Sequence, residues 1–183
     1  MKYNEKLELV PDLADEVTIS EDQKEFTFTI KQGVRWHDGE PFTVDDVIFT
    51  VQSIQDENYK SPLFRTFQGV HVERVDDRTV KFVLEEPYAA FLHITTVGII
   101  PQHLWFDIPA ANARLSVLNQ KPIGTGPYKF ESLTKDNRGS IKSVTVVKNK
   151  DYHTKSPFID SLTFKFYSDH QSAIEALLNR NIE

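Results

Sequence analysis

The chain has 183 residues, 39% hydrophobic and 26% charged, with nine Pro and seven Gly, which is the profile of an ordinary folded protein rather than a disordered or fibrous one. Its 21 Lys plus Arg against 27 Asp plus Glu give a formal charge of -6, and no basic run forms a face, so duplex nucleic acid and acidic membrane surfaces are excluded as expected partners. With no Cys there is no disulfide framework, thiolate metal site or cysteine nucleophile, and no stretch approaches the roughly 18 consecutive apolar residues of a membrane-spanning helix. Met1 to Lys6 lacks the basic start, apolar centre and cleavage site of a secretory signal, so an exported parent would have had its signal removed.

Phe26, Phe28 and Ile30 alternate with Thr27, Thr29 and Lys31, a period of two that predicts a half-buried strand ending at Gly33. After the turn Asp38-Gly39-Glu40-Pro41, Thr43 and Asp46 have the spacing of a helix capping pair. Val44, Val47, Ile48, Val51 and Ile54 then share one helical face, predicting a helix over about 43–55. Val70–Val75 and Thr79–Leu84 flank Asp76-Asp77-Arg78 and read as a β-hairpin with Val80, Phe82 and Leu84 on one side. Pro87–His93 reads as a short helix opened by its proline, Pro101–Trp105 as a helical turn, and Pro109–Asn119 as a further helical stretch. Beyond Gly124 the pattern becomes strand-like: Tyr128–Leu133, a loop over 134–140, Ile141–Lys148, then Leu162, Phe164 and Phe166 in alternation. Ser168 and Gln171 form a second capping pair ahead of a helix with Ile174, Leu177 and Leu178 on one face. Strands and helices without a regular strand-helix repeat indicate α+β.

No familiar catalytic arrangement emerges. None of the six histidines has a partner at the i, i+4 spacing of a helical metal site, and no metal or cofactor is expected. The carboxylate pairs Asp45-Asp46, Asp76-Asp77 and Glu85-Glu86 do not face each other when adjacent in a helix or strand, and are explained by helix start, turn and strand end. No serine lies in a Gly-x-Ser-x-Gly elbow. Gly124-Thr125-Gly126-Pro127-Tyr128 lacks the third Gly and the Lys-Ser/Thr pair of a phosphate loop. It reads as a tight, positive-φ turn permitted by its glycines, with Pro127 fixing entry into the following strand. Trp36-His37-Asp38-Gly39 reads as a turn beside a tryptophan that packs the core edge, rather than as an acid-base cluster.

Five blocks stand in a fixed order: Leu9-Val10-Pro11-Asp12-Leu13-Ala14-Asp15; Phe26 through Trp36-His37-Asp38-Gly39 to Val47; Asp76 to Leu84 with Glu86-Pro87; Ile123 to Tyr128; and Lys148-Asn149-Lys150-Asp151-Tyr152. Together they resemble the extracellular solute-binding proteins of ABC importers, family five, the oligopeptide, dipeptide and nickel class. The resemblance implies an α+β, mixed-sheet first lobe of a two-lobed periplasmic-binding-protein-like fold (class II, peptide-binding type), truncated. Residues 1–183 would be a fragment of that lobe, with a strand, helix and hairpin subdomain over about 1–120, strands and a helix returning toward the hinge over about 121–183, and no second lobe. At the end of the chain, Asn181 replaces the usual Gly as the left-handed residue closing the last helix, and Glu183 stands in for Asp.

By the same resemblance the parent captures a solute, most often a peptide, and delivers it to membrane permease subunits by lobe closure, without catalysis. It would work in a periplasm or outside the cell, anchored to the membrane as a lipoprotein. A nickel complex or a sugar is the alternative ligand, and a sensor or structural domain the alternative role. Most charge contacts to peptide come from the second lobe. Leu63, with Phe64 beside it, falls where oligopeptide binders place an aromatic after Ser-Pro, and Leu offers no phenol oxygen. Trp36, Asp38, Gly39, Gly124, Gly126, Pro127 and Tyr128 carry the structural motifs. Alone, the fragment should bind ligand weakly and should self-associate through an exposed apolar cleft face.

Overall fold

Residues 1–182 are described by the computed structural model, and they fall into two units, 1–125 and 126–182. In the first unit two short strands, β1 (Lys2–Tyr3) and β2 (Leu9–Val10), pair with each other. They precede β3 (Ala14–Ile19), β4 (Glu25–Ile30) and the helix α1 (Val44–Gln55). Next come the four-residue helix α2 (Phe64–Phe67), β5 (Val70–Arg74) and β6 (Thr79–Leu84). Two more single-turn helices follow, α3 (Phe91–Ile94) and α4 (Gln102–Trp105). The second unit holds β7 (Tyr128–Lys135), β8 (Ile141–Lys148), β9 (Ser161–Lys165) and α5 (His170–Leu178). No helix among the described residues is long and apolar enough to cross a membrane.

The first unit is organised by a four-stranded sheet in the order β3-β4-β6-β5. Because side chains alternate across a strand, the register that sets Phe26 opposite Phe82 and Phe28 opposite Val80 puts all four on one face, where they are buried. α1 covers that face with Val44, Val47, Val51 and Ile54, the helical stripe visible in the sequence. Phe91, fully buried, sets its ring 4.6 Å from Phe26 and 5.6 Å from Phe82, while Phe28 meets Phe82 edge-on at 5.4 Å. Each buried Phe contributes about 1.5–3 kcal/mol, so this aromatic cluster outweighs the propensity of any one local segment.

That weighting explains two departures from the sequence pattern. The helix expected over Pro87–His93 begins only at Phe91, because the ring is anchored in the core and the amides that find helical acceptors lie after it: His93 N–H donates to the Ala90 carbonyl and Thr95 N–H to that of Phe91. The helix expected over Pro109–Asn119 is two 3-10 segments, Ala110–Leu115 and Val117–Asn119. They are separated at Ser116, whose hydroxyl accepts from Leu118 N–H at 3.2 Å and so competes with a continuous helix.

The α+β class holds, but the sheets are not mixed in direction. Every strand pairing among the described residues is antiparallel, since β5–β6, β7–β8 and β3–β4 are joined by turns far shorter than the crossover a parallel pair needs. In the second unit β7-β8-β9 form one sheet. The β7–β8 loop is shorter than the expected 134–140: β7 runs to Lys135, Thr134 and Ser143 hydroxyls meet at 2.7 Å, and Asp136 accepts from the amides of Arg138 and Ser140. Those amides, with Lys142, hold the Asp136 carboxyl below its ordinary range.

α5 is capped by Asp169 rather than Ser168. The Asp169 carboxylate accepts from Ser172 N–H at 2.8 Å and Ser172 Oγ at 3.0 Å, an anion at a helix start being favoured over a hydroxyl, and Ser168 donates to it. At the other end the left-handed residue is Arg180, φ 56°, not Asn181. Arg180 N–H bonds the Leu177 carbonyl and Asn181 N–H that of Ala176, the paired bonds of a Schellman ending, which place the left-handed position one residue earlier than the sequence suggested. Glu183, read in the sequence as a substitute for Asp, lies outside the described residues.

Two stability outcomes follow from these contacts. Asp46 is a buried carboxylate accepting from Trp36 Nε1, Thr43 N–H and Gln102 N–H, so Asp46→Ala, which strands one buried and two part-buried donors, should lower unfolding free energy by about 3 kcal/mol in urea titrations. Arg180→Gly relieves a left-handed backbone that L side chains disfavour and should raise stability by about 0.5–1 kcal/mol after glycine's entropy cost, read from thermal unfolding of the second unit.

Candidate functional site

The site is assembled on the loop that follows β4. Asp38-Gly39 makes the expected turn: Gly39 adopts φ 98°, its N–H donates to the Trp36 carbonyl, and Trp36 N–H donates to that of Glu40. Arg35 secures the turn by donating to the Gly39 carbonyl at 2.8 Å. The Trp36 ring is buried, as expected of a core-edge residue, edge-on to Phe42 at 5.9 Å, with its Nε1 on the Asp46 carboxylate at 3.2 Å. Since Asp46 also takes the Gln102 amide, one carboxylate fastens the turn, the start of α1 and the start of α4.

On this base two histidines are set. His103 Nε2 lies 2.9 Å from Asp38 Oδ2, its ring edge-on to Trp36. His37 grips Gly124 twice: its N–H donates to the Gly124 carbonyl at 2.9 Å, and its ring Nδ1 accepts from Gly124 N–H at 3.1 Å. Gly124 and Gly126 are therefore not the positive-φ positions the sequence suggested. Among the described residues the left-handed glycines are Gly33, Gly39, Gly69 and Gly139, and Gly124 is held by hydrogen bonds instead.

Gly124 and Thr125 form part of the wall of a cavity of about 610 Å³ in the first unit. Its floor is the apolar sheet face, Phe28, Ile30, Val80 and Phe82, with Val47 and Val51 from α1, and the segment Thr95–Ile99 supplies another wall. Polar groups stand at Lys2 and Asp12, paired at 2.8 Å, and at Tyr3, whose hydroxyl meets His93 Nδ1 at 2.8 Å. The Met1 amino group donates to the Thr95 carbonyl, and burial pushes its pKa down against the pull of Asp12. A largely apolar concavity with a few placed polar groups has the chemistry to hold a small organic group.

Leu63 precedes α2 and packs against the core, and Phe64 opens that helix half-buried. Neither lines the cavity, whereas Phe67 of the same helix does. The remaining motif residues lie in the second unit. Gly126 and Pro127 carbonyls accept from the side chain and backbone of the buried Asn149, at 3.0 and 2.8 Å, and Tyr128 donates its hydroxyl to the Ile159 carbonyl at 3.0 Å. The sequence pattern did not assign the parts played by Asp46, His103 and Asn149. Asp46 was visible only as a helix cap, and nothing in the spacing of Asp38 and His103 reveals that they meet.

Residues 8–183 match the family described as bacterial extracellular solute-binding proteins, family 5 Middle. A candidate ABC-transporter peptide-binding protein of Brucella ovis is 35% identical over 99% of this chain and 34% of its own length. Among solved structures, NikZ from Campylobacter jejuni in complex with Ni(L-His) is similar at 32% identity and a TM-score of 0.90, over 100% of this chain and 36% of that one. The oligopeptide-binding protein AppA from Bacillus subtilis, in complex with a nonapeptide, is similar at 29% identity and a TM-score of 0.89, over 99% of this chain and 36% of that one. The chain thus spans about a third of the length of the relatives it matches. It belongs to the bacterial extracellular solute-binding proteins, family 5.

Proposed function

We propose that this chain is part of the solute receptor of an ABC importer and that peptide is the preferred solute. The observation that carries this reading is the fit of almost the whole chain to a receptor holding a nonapeptide, supported by a sequence relative named for peptide binding. In this reading the 183 residues supply a first-lobe surface of a two-lobed receptor, with subdomains over about 1–120 and 121–183, and a second lobe completes the cleft. Leu63 and Phe64 contact the ligand, while Trp36, Asp38, Gly39, Gly124, Gly126, Pro127 and Tyr128 hold the loops that shape the lobe. Capture proceeds by lobe closure with no covalent step, outside the cytoplasmic membrane, on an anchored receptor that docks on permease subunits. A metal chelate is the second reading, favoured by the equally close fit to a nickel-histidine receptor.

Thermal unfolding with added solute tests this, because a ligand bound only by the folded state stabilises by about 2.7 kcal/mol at a hundredfold excess over Kd. A chain of the relatives' full length carrying this segment should show a raised midpoint with mixed peptides and less with nickel-histidine, while the 183 residues alone show none with either. A shift with the nickel complex alone replaces peptide with chelate as the solute; no shift with any solute class removes the importer reading.

Self-association of the 183-residue chain belongs to the same proposal. It is supported by the apolar side chains the second unit leaves in solvent, among them Phe158 at 86% exposure, Leu178 at 76% and Leu177 at 54%. Sedimentation equilibrium should show a monomer-dimer mixture that Leu177→Glu with Leu178→Glu converts to monomer, and a chain monomeric at high micromolar concentration would refute it.

A further inference from the structure

The double grip of His37 on Gly124 carries a chemical constraint. A backbone N–H can only donate, so the 3.1 Å contact from Gly124 N–H to His37 Nδ1 requires that Nδ1 be the unprotonated ring nitrogen. The imidazole must be neutral, with its proton on Nε2, whenever the grip is closed. A second proton would place N–H against N–H and remove the ring bond, while the backbone bond from His37 N–H to the Gly124 carbonyl does not depend on the ring's protonation.

We infer that His37 is a positioning residue that sets the Gly124–Thr125 wall of the cavity only as a neutral imidazole, so that the wall loosens when the ring is protonated. The contact that responds is the one between His37 Nδ1 and Gly124 N–H. His103 contacts an acceptor, Asp38 Oδ2, and keeps that contact in either protonation state. The charged and titratable groups on the elements gathered there are Arg35, Asp38 and Glu40 of the turn, Asp45 and Asp46 of α1, His103 of α4 and Lys121 ahead of Gly124. Arg35 is committed to the Gly39 carbonyl, Asp45 to Arg74, Asp46 to Trp36, Thr43 and Gln102, and Asp38 to His103. None of these contacts supplies a substitute acceptor for Gly124 N–H.

The sign follows from the proton count. The closed grip excludes a proton that the open one accepts, so closure is complete above the ordinary imidazole pKa of about 6.5 and weakens as pH falls through it. Only the consequence, that solute capture by the receptor proposed above would vary with pH, rests on that reading. The motion of the wall can be measured without any ligand.

The test is amide hydrogen exchange at Gly124 in the 183-residue chain between about pH 5 and 8, corrected for intrinsic exchange, in the native protein and in His37→Asn and His37→Ala. Asn offers a non-titrating acceptor near the position of Nδ1. The native amide should lose protection about tenfold per pH unit below the imidazole pKa, the slope of one proton. His37→Asn should stay protected throughout, and His37→Ala should be unprotected at every pH. Native protection that does not change with pH, an Asn variant that titrates as the native chain does, or loss of protection spread over the whole chain would each overturn the inference. If His37→Ala fails to fold, the Asn variant and the native profile still decide it.

Discussion

A single buried carboxylate holds the first unit in register with its own loops. Asp46 stands at the third position of α1, where the helix start favours an anion, and it accepts hydrogen bonds from three elements that no apolar contact would orient: the Trp36 indole, the Thr43 amide and the Gln102 amide. Apolar packing is non-directional and would tolerate small rotations of these loops. Hydrogen bonds to a charged acceptor do not, which is why the turn at 36–40 and the start of α4 occupy fixed places over the same helix end. Asp38, His37 and His103 then meet their partners because their backbones have already been placed.

The chain separates order of two kinds. The sheet face of β4 and β6 with α1 is a core built by alternation and helical period, and Phe91 completes it from far along the chain. The loops around Trp36 and Gly124 are ordered by polar bonds instead, and Gly124 with Thr125 forms part of the wall of a cavity whose floor is that core. The floor is part of the buried core, while the wall is held at Gly124 by two hydrogen bonds and can loosen at a cost of one bond rather than of the core.

What was legible in the sequence is what local pattern decides. Phe26, Phe28 and Ile30, the stripe from Val44 to Ile54, and the hairpin around Asp76-Asp77-Arg78 declare themselves by period and turn chemistry, and the structure places each accordingly. The start of α3 was not legible, because burial of Phe91 among distant rings fixes it and Pro87 does not. Asp169 was passed over in favour of Ser168, although the two are neighbours and only the geometry shows which side chain reaches Ser172. The five collinear blocks were specific enough to name the family, yet they could not show that His37 and Gly124, from separate blocks, are bonded to each other. Contacts of this kind are three-dimensional, and no single spacing encodes them.

The two units differ in how far each satisfies its own hydrophobic requirement. In the first, rows of Phe and Val side chains lie at a few per cent exposure or less. In the second, only Asn149 and Ala176 are buried among the described residues, while Phe164, Phe166, Ile174, Leu177 and Leu178 are half or more exposed. The apolar face of α5 that the sequence displays is real, but this unit provides nothing to bury it. A small sheet with one helix buries too little area to offset chain entropy easily. Its exposed apolar face is therefore the place where burial would gain most.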